Sequence, residues 1–192
     1  MPRWAENMGR ASHLTPPDDY SDVYPDKAEP TPVYLLIRDF HNPSKSGDEK
    51  QWIIYWEVYN DSDYAGSGNG TRWCRVMHLS PQTRSRPDAT GASGSESESE
   101  QETYLYTYWG AVTVPLEERR QDISFDIGMT PWSLRDRQLL EGLAEMTPVQ
   151  MPGGGYTCND WIRSLLLNAT AACLVKDEIR KWLLWIADPK RE

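Results

Sequence analysis

One group in this chain is placed for nucleophilic chemistry. Gly153, Gly154 and Gly155 lead through Tyr156 and Thr157 to Cys158. Thr157 followed three residues later by Asp160 has the form of a capping box, so Thr157 is the expected N-cap and Cys158 the first helical residue. A thiol in that position lies beside unsatisfied backbone N–H groups and the positive end of the helix dipole, and both favour thiolate over thiol. A thiolate can attack the acyl carbon of an ester, thioester or peptide, with the same N–H groups holding the oxyanion. It also needs a base within hydrogen-bond reach.

Three histidines are available for that role. His13 lies in a proline-rich N-terminal stretch and His41 in a polar loop beside Asn42. His78 ends a strand-like run and is the best base the sequence offers; its plainer reading is an ordinary strand-end histidine. Cys158 has a plain reading too, as a small apolar side chain seating a helix on a sheet. Cys74 and Cys173 read as structural. No Cys or His pair has zinc-ligand spacing, and the glycine run lacks the lysine and spacing of a phosphate loop. No metal or cofactor is expected.

The elements that must position Cys158 follow from periodicity. Trp161, Ile162, Leu165, Leu166 and Ala169 continue its stripe at helical spacing. Strand character is expected at 33–38, 51–59, 71–79 and 103–114, with a further short strand around Ile123, Phe125 and Ile127. On 71–79 the alternation puts Trp73, Arg75, Met77 and Leu79 on one face and Cys74, Val76 and His78 on the other. A helix is expected from Trp132 to about Glu145, with Thr130-Pro131 as its cap and Leu139, Leu140 and Leu143 inward. Another runs from Lys176 to Ile186 with Ile179, Trp182, Leu183 and Ile186 as its stripe. Strands first and helices later predict an α+β domain, an antiparallel sheet packed against the cysteine-bearing helix.

Residues 1–30 carry five prolines among Asp and Ser, with no apolar period, and read as a disordered arm. Residues 31–188 then form one domain, interrupted at 81–102 by a Ser-, Gly- and Glu-rich low-complexity insertion. Nine tryptophans and ten tyrosines against two phenylalanines predict a core of large side chains, Trp52 and Trp161 included. A formal charge of −9 argues against nucleic acid and anionic lipid as partners. No apolar run could span a bilayer and no signal-peptide core is present. With three cysteines, the expectation is a reduced protein of the cytoplasm or nucleus.

The order of a strand with a polar residue before Trp, a strand ending in His, then Cys opening a helix resembles the circularly permuted papain-like group that includes lecithin–retinol acyltransferase-like proteins. The pattern around Thr157-Cys158-Asn159-Asp160-Trp161, together with Gln51-Trp52, is similar to an uncharacterised fungal domain family with an Asn-Cys-Gln-x-Trp type motif and a His-Trp pair on an early strand. The resemblance implies a permuted papain-like fold over roughly Val33 to Ile186. It also implies that Gln51 stands where those proteins carry the histidine base. Glutamine cannot take a proton from a thiol. The expectation is therefore a non-catalytic binding domain, with a protein or small ligand held between the Cys158 helix and the sheet. The alternative is a thiol hydrolase or acyltransferase using Cys158, with His78 as base and Gln51 as an orienting group.

Overall fold

The computed structural model describes residues 4–10, 14–40, 49–61, 71–84, 103–117, 119, 121–151 and 156–187. Among the described residues seven strands precede three α-helices: β1 Tyr34–Phe40, β2 Glu49–Asn60, β3 Arg72–Met77, β4 Ser80–Arg84, β5 Thr103–Thr107, β6 Val112–Pro115 and β7 Ile123–Asp126, then α1 Leu134–Met146, α2 Cys158–Ala171 and α3 Asp177–Ala187. Five strands make an antiparallel sheet in the order β6-β3-β2-β1-β7, and β4 and β5 pair separately. The architecture is α+β.

Twelve residues long and dense in aromatic and β-branched side chains, β2 is the centre of the sheet. Alternation sends Trp52, Ile54, Trp56 and Val58 to one face, where Leu35, Ile37 and Met77 join them under Trp161, Ile162, Leu165 and Leu166 of α2. Ile53 and Tyr55 go to the other face, with Leu36, Cys74, Val76, Val112 and Leu116. Residues of all three helices enter the first cluster and none enters the second. Full burial of a side chain of this size stabilises by roughly 1.5–3 kcal/mol. The stripe on α2 therefore fixes which face of the sheet the Cys158 helix covers. Trp52, Trp56 and Trp161 are all fully buried.

Several expectations need correction. The run 103–114 is two strands: β5 pairs with β4, and the chain turns at Gly110, whose φ is +97°, before β6 joins β3. The start of the expected insertion, Pro81 to Arg84, belongs to β4; residues 85–102 lie outside the described residues. Thr130-Pro131 does not open α1. Trp132 and Thr31 exchange backbone hydrogen bonds (2.9 and 3.0 Å) that hold the chain extended there. Ser133 and Asp136 then make the capping box. The inward face of α1 is Arg137, Leu140 and Ala144, with Leu139 exposed. On α3, Leu183 and Ala187 are buried and Trp182 is exposed.

The N-terminal arm is the largest correction. Among its described residues, 4–10 and 14–30, the segment is packed. Ala5 N–H donates to Val149 O at 2.7 Å, and Tyr108 N–H donates to Met8 O at 3.0 Å. Tyr24 stacks on Trp73 with ring centroids 4.3 Å apart. Asp26 accepts from Trp56 Nε1–H at 3.0 Å and from the buried Arg137 guanidinium. The polar residues that made this stretch look solvated are the ones that tie it down.

Candidate functional site

The first turn of α2 is built as its sequence spacing requires. Asp160 reaches back so that its carboxylate accepts from Thr157 N–H at 2.8 Å and from Thr157 Oγ1–H at 2.9 Å. This fixes Cys158 as the first helical residue, half-buried against the larger core. Trp161, the next residue of the stripe, donates from Nε1 to Thr147 O at 3.0 Å and so ties α2 to the end of α1.

Asn159 decides what the turn does. Its Nδ2–H donates to Lys50 O at 2.7 Å and its Oδ1 accepts from Trp52 N–H at 3.1 Å. The amide thus pairs with β2 as a neighbouring strand would, and the two bonds together fix which end is oxygen. The Cys158 thiol, its sulfur 3.5 Å away, donates to that same oxygen. Arg163, one turn further on, lies over the Trp52 ring at 4.7 Å from its centroid.

Gln51 lies between these two anchor points, and alternation turns it the other way. It sits opposite Arg38 on the face of Ile53 and Leu36, away from α2. Arg38 on that face pairs with Asp122, Nη2 to Oδ2 at 2.6 Å. The structure therefore brings Cys158 together with Asn159 and Trp52, and does not bring Gln51 to it. The expected ligand space between α2 and the sheet is filled by Trp52, Trp161, Ile162 and Leu165.

His78 follows β3, flanked by Met77 and Leu79, both of which enter the helix-covered core. Its Nε2 lies 3.3 Å from Ser80 Oγ. Burial lowers its pKa from the ordinary histidine value to about 4. Its imidazole is neutral at pH 7. Tyr156, two residues before Cys158, is pushed up to about 12, chiefly by burial, so its phenol stays protonated at pH 7. His13, His41 and the glycine run 153–155 lie outside the described residues. Among the described residues, no three His, Cys, Asp or Glu side chains are grouped to hold a metal ion. None of the described helices is long and apolar enough to cross a membrane.

No family model, curated protein or solved structure matches the chain. The geometry alone carries the functional reading.

The low His78 pKa gives stability a pH signature. Unfolded histidine titrates near 6.5, so between about pH 6.5 and 4 the unfolded chain binds the extra proton. This contribution is complete above that window and is lost as pH falls through it, by about 3 kcal/mol. Asp122 does not act there. Burial raises its carboxyl, but Arg38 and the Arg119 N–H outweigh this and hold it below the ordinary value, so its loss comes at lower pH. Urea unfolding at pH 7 and pH 4.5 should show the drop in the wild type and a much smaller one in His78→Gln. Equal drops in both proteins would assign the effect elsewhere.

Asn159 stands in the Thr157-to-Trp161 motif with no role of its own in the sequence. The available signal was that Thr157 and Asp160 already satisfy the cap. A second short amide in the same turn is then left to bond outside the helix.

Proposed function

We propose that this domain is a non-catalytic binding module in which the Cys158 turn fastens a helix to a sheet and performs no bond chemistry. In this reading it keeps the strand-then-helix order of circularly permuted papain-like proteins without their base. The observation that carries the reading is the shared Asn159 oxygen: it accepts from the Trp52 amide of β2 and from the Cys158 thiol. The placement of Gln51 on the opposite face supports it further, because even a histidine at that position would face away from α2.

With the space under α2 filled, the binding surface of such a module lies on its outside, where Trp182 and Trp185 of α3 stand 45% and 54% exposed. A protein partner suits exposed tryptophans of this kind better than a small ligand, which needs a concave site. The rival thiol-hydrolase reading draws on the place of Cys158 at the start of α2, and it needs the half-buried, neutral imidazole of His78 as base. The two readings part on Cys158→Ala. A clamp loses little when the thiol goes and much when Asn159→Leu removes the amide, whereas an enzyme loses its turnover with the thiol.

A further inference from the structure

The two edges of the five-stranded sheet are finished differently. At β6 the chain covers its own edge: Tyr20 N–H donates to Thr113 O at 2.9 Å, and Thr113 N–H donates to Asp19 Oδ1 at 2.8 Å. At β7 no described residue pairs with the outer side. The register shows which groups stand open there. Ile127 N–H donates to Val33 O at 2.9 Å, and this pair belongs to the same ladder as Phe125–Leu35 and Ile123–Ile37. In an antiparallel ladder hydrogen-bonded pairs alternate with non-bonded ones. Odd residues therefore turn their N–H and C=O towards β1, and Ser124 and Asp126 turn theirs outward. Unpaired strand edges of this kind recruit another strand unless they are blocked.

We infer that β7 is the seam of a homodimer, pairing antiparallel with β7 of a second copy about a two-fold axis at Ser124. The sequence is self-complementary in that register. With Ser124 opposite its symmetry mate, the two residues exchange both outward hydrogen bonds, and Ile123 of one copy lies opposite Phe125 of the other. These two sit on the helix-covered face, where Ile123 is 50% exposed and Trp182 packs edge-on against Phe125 at 5.5 Å. Opposed aromatic and β-branched side chains are favourable cross-strand pairs. The same register sets Asp126 opposite Asp122, whose charge is neutralised within its own subunit by Arg38. An axis at Asp126, the other outward-facing residue, would oppose two aspartates with no basic partner at the seam. The dimer carries a continuous ten-stranded sheet. The strands contribute only four residues a side, so the seam is small and the dissociation constant falls in the micromolar range.

This inference names a partner for the binding reading, but its test reads mass and not thiol chemistry. An active Cys158 would leave the dimer standing, and a monomer would leave the non-catalytic reading standing. The full chain is followed by sedimentation equilibrium from about 1 to 300 μM, a range chosen to bracket a micromolar constant. The wild type should pass from monomer to dimer. Ile123→Lys and Ser124→Pro should each raise the dissociation constant at least tenfold, because one places a charge in the seam and the other deletes an outward N–H that β1 does not use. Leu167→Lys, an exposed position on α2, should not change it. Circular dichroism and melting of each variant show whether it is folded. If Ser124→Pro fails to fold, the Ile123→Lys result and the amide exchange of Ser124, slowed at high concentration, decide the matter. A wild type that stays monomeric throughout, or a dimer that both edge variants leave intact, overturns the inference.

Discussion

Replacing Arg137 with methionine should lower the free energy of unfolding by about 3–5 kcal/mol, the cost of removing one member of a buried ion pair. The Arg137 side chain has no solvent exposure. Its guanidinium donates to both Asp26 oxygens (3.1 and 3.0 Å), to Trp132 O (2.6 Å), to Glu29 O (3.2 Å) and to Lys27 O. Methionine would fill much of the space but donate nothing, leaving a carboxylate and three carbonyls without that partner. Asp26 also accepts from Trp56 Nε1–H, so the loss reaches the centre of β2. Asp26→Asn leaves the buried guanidinium without its counter-ion and with one acceptor oxygen where it uses two, so it should cost a similar amount. Urea unfolding measures both, and limited proteolysis of Arg137→Met should open the chain between residues 14 and 31. A loss below 1 kcal/mol would mean that the N-terminal segment is not held as described.

The second large effect belongs to Asn159. Asn159→Leu should cost about 2–3 kcal/mol, because the Trp52 N–H and Lys50 O lose their partner while Trp52 stays buried. Asn159→Asp should not rescue it: the carboxylate can still accept from Trp52 N–H, but it opposes the Lys50 carbonyl with a like partial charge. Cys158→Ala, by contrast, should cost no more than about 1 kcal/mol, since it removes one small half-buried atom from a turn that the Thr157–Asp160 cap already holds. Equal losses for Asn159→Leu and Cys158→Ala would contradict the assignment of the clamp to the amide.

These two positions mark where the sequence is legible and where it is not. The stripe from Trp161 to Ala169, the cap before it and the alternation of Trp73, Met77 and Leu79 against Cys74 and Val76 could all be read directly. Each is a local period imposed by one buried face. The Arg137–Asp26 pair spans 111 residues of sequence, and nothing local distinguishes its members from solvated charges. The N-terminal segment accordingly looks polar and aperiodic although it is bound by polar contacts. The division of 103–114 into two strands has the same origin, for the partner of β5 lies in a stretch whose composition reads as a loop. At the site, the cysteine and its helix position were legible, while the facing of Gln51 depends on the β1–β2 register. One residue of register separates a side chain that meets α2 from one that cannot.

The central claim is that Cys158 works without a base, and its alkylation rate tests this most directly. Iodoacetamide labelling at pH 7 would be followed at Cys158 by peptide mass analysis in a Cys173→Ser background, which removes the exposed competing thiol. Wild type, His78→Asn and Gln51→His should label at the same rate within about twofold, far less than the 10²–10⁴ that a positioned base contributes. A fall of tenfold or more in His78→Asn would make His78 the base of a working thiol nucleophile, and a comparable rise in Gln51→His would place residue 51 against the sulfur. Either result would contradict the account.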